Sequence, residues 1–321
     1  MNRKAFVYKK YGSPEVLKLE QVAMPQPQPH EVLIKVAALS LNPAEWHTMR
    51  AALWMLRLKN GLFKPKHPIL GADVAGKVVA VGAQVHSLKV GDQVFGRNFK
   101  GGIATHTCLD ENKAAKIPQK LNFEEAAATP LASITALVAL RKGHIQAGQQ
   151  VLINGASGGI GTFAIQLAKH YNAVITGVCS GQNSELVHSL GANRVIDYQQ
   201  EDFTKTGDTY DLVIDLVGNR PIDELQKVLK PGGRCMVVGF SNVKNMLGFL
   251  VKGGWVSRFG NKKFIPIDAQ IKTTDLEYIG QLVQDGIIYP LIDRAYDFEA
   301  TPEAFHYLGT RRAKGKIVIT M

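Results

Sequence analysis

Residues 151–161, VLINGASGGIG, run from an uncharged apolar stretch into a glycine-rich turn. A strand that ends in such a turn and opens a helix presents unpaired backbone N–H groups, and the positive end of the helix dipole, to an anion. Gly158, Gly159 and Gly161, with Ile160 between them, let the pyrophosphate of a dinucleotide approach the backbone closely. Ala156 stands where the strict GxGxxG fingerprint has its first glycine. The assignment therefore rests on context: QQVLIN before the turn, GTFAIQLAKHY after it and AVITGV as the next strand.

The choice of dinucleotide is made about 20 residues on, where an acid would hold a ribose 2′-OH and repel a 2′-phosphate. That strand end reads GVCSGQN, with no acid before Glu185. Ser180, Gln182 and Asn183 all offer hydrogen-bond donors, so the turn favours NADP(H) over NAD(H). The plainer alternative is that Ser180 and Asn183 cap the helix SELVHSL. The glycine letters also fit the GxxxGxG of short-chain dehydrogenases, but that chemistry needs a Tyr-x-x-x-Lys pair and the chain has none.

These residues need a frame to hold them. At 321 residues the chain is long enough for two domains, each with its own core. Residues 1–125 read as an all-β domain: AFVYKK, EVLIKVAALSL, ADVAGKVVAVG and GDQVFGR are β-branched or alternating runs between turns. From Asn122, which can cap FEEAAA, the texture turns helical, with Pro130 breaking or kinking the helix. From Gln150 strands and helices alternate, with PIDELQKVLKPGG as a helix stopped by glycine and RCMVVGF as a strand, which predicts a parallel sheet covered on both faces. The stretch SNVKNMLGFLVKGGWVSRFGNKKF reads as irregular, TTDLEYIGQLVQDG and TPEAFHYLGT as helices, and GKIVITM as a strand returning to the N-terminal sheet.

Cys108, Cys179 and Cys235 form no CxxC pair, and the N-terminus has no apolar run of a secretory signal, which fits a reducing, cytoplasmic setting. The longest apolar stretch, 126–140, is shorter than the ~20 residues that cross a bilayer. A formal charge of +11 invites an anionic partner, yet the basic clusters at Arg57–His67, Lys244–Lys263 and Arg311–Lys316 accompany no nucleic-acid motif. A solvated surface and a polyphosphate cofactor account for the charge.

The motifs SLNPAEW, GADVAGKVVAVG, GDQVFG, AAATPLASITAL, GASGGIG, VCSGQNSELVHSLGA, VIDY, DLVG and GKIVI, in this order, resemble the zinc-independent medium-chain dehydrogenases/reductases. The likeness is to their quinone oxidoreductase-like and chloroplast-envelope enone reductase group. The resemblance implies an α/β fold: a Rossmann doubly wound parallel sheet at 126–265, inserted in a discontinuous GroES-like catalytic domain at 1–125 and 266–321. It also implies homodimers and a substrate cleft between domains. Zinc-dependent relatives hold their metal with a Cys and the His and Glu of a GHE motif. Those places fall on Asn42, Ala72 and Asp73, so no metal is expected, an improvised site from His67, Asp73 and Cys108 aside.

Further expectations follow from the resemblance. Asn42 and Thr135 lie near the nicotinamide and its ribose, Ser180 and Tyr198 near the 2′-phosphate, and Gly159 and Ile160 under the pyrophosphate. Val217 lies against the nucleoside, Gly239 and Phe240 beside the carboxamide, and Trp46 and Phe95 along the substrate cleft. His47 and His106 read as structural. Without a metal to stabilise a developing oxyanion, a quinone or an α,β-unsaturated carbonyl, whose conjugation spreads the charge, is the better substrate than a plain ketone. The alternatives are a zinc-type alcohol dehydrogenase, and an NADPH-binding protein that associates through residues 244–263 with RNA or an anionic membrane.

Overall fold

The computed structural model describes residues 1–52, 57, 58, 60–240 and 243–321, without the side chains of 243 and 244. Parts of the 57–67 and 244–263 basic clusters thus lie outside the described residues. The chain divides into Met1–Leu131 with Ile271–Met321, and Ala132–Gln270.

In the first unit, Glu31–Leu41 pairs antiparallel with Leu70–Val81, and with His106–Asp110. The sheet runs in the order Ile292–Asp297, Lys316–Thr320, Glu31–Leu41, Leu70–Val81, Gln93–Lys100, Ala114–Lys116. The closing strand Lys316–Thr320 lies antiparallel against residues 38–41. Alternation sends Val32, Ile34 and Val36 inward. A register shift between Val36 and Ala38 then moves the inward set to odd positions, so Leu39 and Leu41 join the same core.

The all-β reading of 1–125 requires correction, because Pro43–Arg50 is a helix. Asn-Pro looks like a turn in sequence, but proline at a first helical position lacks only an N–H that would have no partner there. Glu45 completes the start by accepting the Asn42 N–H at 2.9 Å. Asn122 caps Phe123–Ala128 as expected, with Asn122 Oδ1 accepting the Glu125 N–H at 2.8 Å, and a new helix, Pro130–Lys142, begins at the proline.

In the second unit six strands, all parallel, run in the order Arg194–Asp197, Val174–Cys179, Gln150–Asn154, Tyr210–Asp215, Leu229–Val237, Lys263–Pro266. Counted from Gln150 this is the 3-2-1-4-5-6 order of the dinucleotide-binding fold. Helix Gly159–His170 buries Phe163, Ala164, Ile165, Leu167 and Ala168. Two expectations fail here. The helix read through PIDELQKVLKPGG stops at Lys227, because Leu229 already pairs with Tyr210 and the Lys230–Gly233 stretch bulges out of that strand. The stretch read as irregular after Phe240 is helical from Val243 to Phe259 apart from one π-helical turn, Phe249–Gly253. Its glycines suggest a loop, yet Gly253 sits within the helical run, where a Cβ would meet Ile222, Phe249 and Phe264 only at ordinary contact, 3.4–3.5 Å.

Candidate active site

The ten expected cofactor residues all fall at the C-terminal ends of the parallel strands, where ligands of this fold bind. Gly158 ends the turn after Gln150–Asn154 in extended backbone, and Gly159, Ile160 and Gly161 form the first turn of the helix, whose N–H groups have no intrahelical acceptor. Gly161 has no room for a side chain: its Cβ would stand 2.3 Å from Gly155 O and 2.6 Å from Ala156 O. Gly155 itself has φ +91°, which folds the turn back against the helix start.

Beside this turn, Asn183 donates to Ser157 Oγ at 3.1 Å, and its Oδ1 is buried without a hydrogen-bond partner. An orphaned amide oxygen here fits a ligand hydroxyl, such as a ribose OH. Ser180 is buried at the strand end and its side chain makes no capping bond, while Tyr198, at the end of the neighbouring strand, is exposed. One group escaped the sequence reading. Asp197 Oδ2 lies 2.5 Å from the place a Cβ would take on Gly181, so a carboxylate does reach the turn, from the third strand. Its Oδ1 accepts the Gln199 N–H at 3.0 Å. The parallel pairing of Asp197 with Cys179 puts it there, and VIDY following AVITGV was the available signal.

On the other side of the turn, Val217 approaches Gly155, and the Gly218 backbone, at φ +63°, leaves no room for a Cβ beside Gly239 O. The loops that carry Val217 and Gly239 thus touch. Phe240 packs on Phe249, ring centroids 5.3 Å apart. Asp215 holds the first loop through Oδ1, which accepts from Asn154 Nδ2 at 2.8 Å, Gly218 N–H at 2.9 Å and Val217 N–H at 3.2 Å. Its Oδ2 is buried without a partner, and burial pushes the carboxyl above the ordinary aspartate value.

In the first unit Asn42 is the centre of a closed polar cluster. Asn42 Nδ2 donates to Asp73 Oδ2 at 3.0 Å and Asn42 Oδ1 accepts from Lys316 Nζ. Arg97 donates through Nη1 to Asp73 Oδ1 at 2.9 Å and through Nη2 to Glu45. Lys316 Nζ also donates to Leu41 O and stands 3.7 Å from Asp73 Oδ2, which accepts the Leu131 N–H as well. None of these five side chains is more than 4% exposed. Two acids face two bases, so the ionised cluster is neutral. Burial works against the Arg97 charge, yet Glu45 and Asp73 raise its pKa. Burial also holds Lys316 below the usual lysine value, with Asp73 and Glu45 pulling it back.

This geometry does not suit zinc. Ala72 offers a methyl group, both ends of the Asn42 amide are engaged, and both Asp73 oxygens already accept from cationic or amide donors. The improvised set does not assemble either: among the described residues no three His, Cys, Asp or Glu side chains gather as metal ligands. Sequence reasoning missed Glu45, Arg97 and Lys316. A lysine inside the apolar strand KIVIT was the clearest hint, since buried lysines need a partner.

Thr135 is buried on helix Pro130–Lys142. Phe95 is corrected: it is fully buried in its strand and lines no cleft. Trp46 is half-buried against the first unit's core, with the Arg50 guanidinium 4.6 Å over its ring and its Nε1 2.6 Å from the site of a Cβ on Gly309. Burial and nearby Arg311 and Arg50 lower the His47 pKa, and burial with Lys35 and Arg3 lowers that of His106.

Comparison with known proteins agrees with this arrangement. The family described as "Alcohol dehydrogenase GroES-like domain" matches residues 28–119, and the family described as "Zinc-binding dehydrogenase" matches residues 190–319. The chain is 36% identical to the 2-methylene-furan-3-one reductase of Solanum lycopersicum, over 98% of this chain and 78% of that protein. It is 34% identical to the chloroplastic NADPH-dependent alkenal/one oxidoreductase of Arabidopsis thaliana, over 98% and 79%. Among solved structures, the quinone oxidoreductase from Coxiella burnetii superposes with a TM-score of 0.87 at 30% identity, covering 100% of both chains.

Proposed function

The chain belongs to the quinone oxidoreductase-like branch of the medium-chain dehydrogenases/reductases, and on that premise we propose that it is an NADPH-dependent reductase of quinones or α,β-unsaturated carbonyls. The observation that carries the proposal is the filled cluster around Asn42. Where zinc enzymes of the family present a Lewis acid, this chain presents a neutral set of paired side chains and one amide. A conjugated acceptor delocalises the charge that hydride addition creates, so hydrogen bonds suffice for it. The tomato and Arabidopsis relatives, whose names state a 2-methylene-furan-3-one and an alkenal/one, are consistent with that class.

Nicotinamide, when bound, supplies the hydride. The chain's own residues bind and orient. The N–H groups of Gly159, Ile160 and Gly161, next to Gly158, hold the pyrophosphate. Asn183 Oδ1 accepts from a ribose hydroxyl, Val217 covers the nucleoside, and Gly239 with Phe240 flanks the carboxamide. Thr135 and Asn42 orient the nicotinamide end, and Trp46 packs against the first unit's core. No side chain is assigned as proton donor, and solvent would supply the proton to the product. Ser180 and Tyr198 favour the 2′-phosphate, and Asp197 is the group set against it.

The test is equilibrium binding of NADPH and NADH by fluorescence, followed by product identification with quinones, enones and simple aldehydes. NADPH binding tighter than NADH, with reduction of quinones or enone double bonds, supports the reading. Tighter NADH binding, or turnover confined to simple aldehydes, contradicts it.

We also propose a cytoplasmic homodimer. Strand Lys263–Pro266 is the open edge of the parallel sheet, and Leu250, Val251, Trp255 and Phe259 just before it are exposed. Light scattering at the monomer mass, with binding to anionic vesicles through the same side chains, would assign this face to a membrane surface instead.

A further inference from the structure

Lys316 has no place in the reading above beyond filling space, yet its surroundings give it a function. Its ammonium donates to Asn42 Oδ1, and Asp73 Oδ2 accepts from Asn42 Nδ2. An amide held at both ends has one orientation, because turning it over would point Nδ2 at an ammonium and Oδ1 at a carboxylate. The carboxylate that sets one end is itself held by Arg97 on its other oxygen and by the Leu131 N–H. One N–H of the Asn42 amide then remains without a partner among the described residues.

We propose that Lys316 is a positioning residue of the reductase site: with Asp73 it fixes the Asn42 amide so that its second Nδ2 hydrogen is offered to the ligand. The ammonium does for orientation what a bound cation does for its ligands elsewhere in the family, and it brings its own counter-charges. This inference rests on the reading of Asn42 as a site residue.

A double-mutant cycle tests it. Asn42→Ala is expected to lower kcat about tenfold, a larger effect than on the Kd for NADPH, and Lys316→Met to do the same. The double variant should be no slower than either single one, since both changes remove one orienting contact. Lys316→Arg keeps a cationic donor and should recover most of the loss. Should Lys316→Met not fold, Lys316→Met with Asp73→Asn, which leaves Glu45 and Arg97 paired and the cluster neutral, takes its place in the cycle. A readout independent of turnover is the side-chain NH2 pair of Asn42 in asparagine-labelled protein, identified by its loss in Asn42→Ala. It should be two resolved, exchange-protected signals in the parent and in Lys316→Arg, and collapse towards free-amide positions when the lysine is methionine.

Losses that multiply in the double variant, or an Asn42 NH2 pair unmoved by Lys316→Met, overturn the proposal while leaving the reductase reading intact. A parent protein that turns over no conjugated acceptor contradicts the reductase reading, and the amide signals still decide whether Lys316 holds Asn42.

Discussion

Lys316 and Asn42 lie 274 positions apart in the chain and share a buried hydrogen bond, ammonium to amide oxygen. The closing strand brings the lysine back beside residues 38–41, so the first unit is sealed by the same contact that orients the amide. Around them, Asp73, Arg97 and Glu45 complete a buried cluster of two acids and two bases about one amide.

A buried ion-pair network is weak evidence for stability when intact, but removing one member strands a charge in the interior. Arg97→Met leaves Asp73 and Glu45 without their shared guanidinium. A loss of about 3–5 kcal/mol in urea unfolding is expected, and Arg97→Met with Glu45→Gln should recover part of it. An Arg97→Met protein as stable as the parent would show that the carboxylates are not ionised in the fold.

The turn at Gly161 is closed by backbone. Gly161→Ala would press a methyl group against Gly155 O and Ala156 O, at 2.3 and 2.6 Å. We expect a destabilisation of roughly 1–3 kcal/mol with weaker NADPH binding, read by thermal melts with and without cofactor. Normal binding in a stable variant would show that the loop opens without consequence.

Asp197, whose carboxylate lies beside Gly181, is expected to oppose the 2′-phosphate that Ser180 and Tyr198 favour. Asp197→Asn removes the charge beside Gly181 and should shift the ratio of the NADH and NADPH dissociation constants towards NADPH several-fold, about 1 kcal/mol. An unchanged ratio would place the 2′ position away from this turn.

Asp215 makes stability depend on pH. Burial raises its folded pKa above the unfolded value, so the stabilising contribution of the neutral form is complete below the ordinary aspartate range near pH 4 and fades as pH rises through the folded value. Asp215→Asn removes this dependence. The parent should lose stability relative to the variant as pH rises above about 4, and parallel curves would contradict the assignment.

The thiols should be slow. Burial pushes Cys108 and Cys179 up to about 11, and fully buried Cys235 higher than its ordinary range. At pH 7 little thiolate is present, so a disulfide reagent should modify the native protein far more slowly than the unfolded one. Equal rates would show that the thiols are open in the native state.

Much of this was legible in the letters, for physical reasons. Buried parallel strands are apolar runs and glycine turns are local, so the parallel sheet and the turn that carries Gly158 could be read from VLIN, VITGVC, VIDY and LVID, whereas the places of Tyr198, Val217 and Gly239 came from the family resemblance. What escaped was long-range or context-dependent. Asp197 meets Gly181 only through strand pairing, and Glu45, Arg97 and Lys316 come from three separate elements. Each alone looks like a surface charge. Helix Pro43–Arg50 escaped because an Asn-Pro start serves a turn and a helix equally well, and Phe95 was offered to a cleft because aromatic type says nothing of which face is buried.

The most direct measurement uses a matched pair: an enone and its saturated ketone, offered with NADPH to protein dialysed against a strong chelator. Reduction of the enone double bond at an undiminished rate, with no measurable turnover of the ketone, is the predicted result. Reduction of the ketone, or activity lost to the chelator and restored by zinc, would contradict the claim that this chain works through acceptor conjugation and an oriented amide.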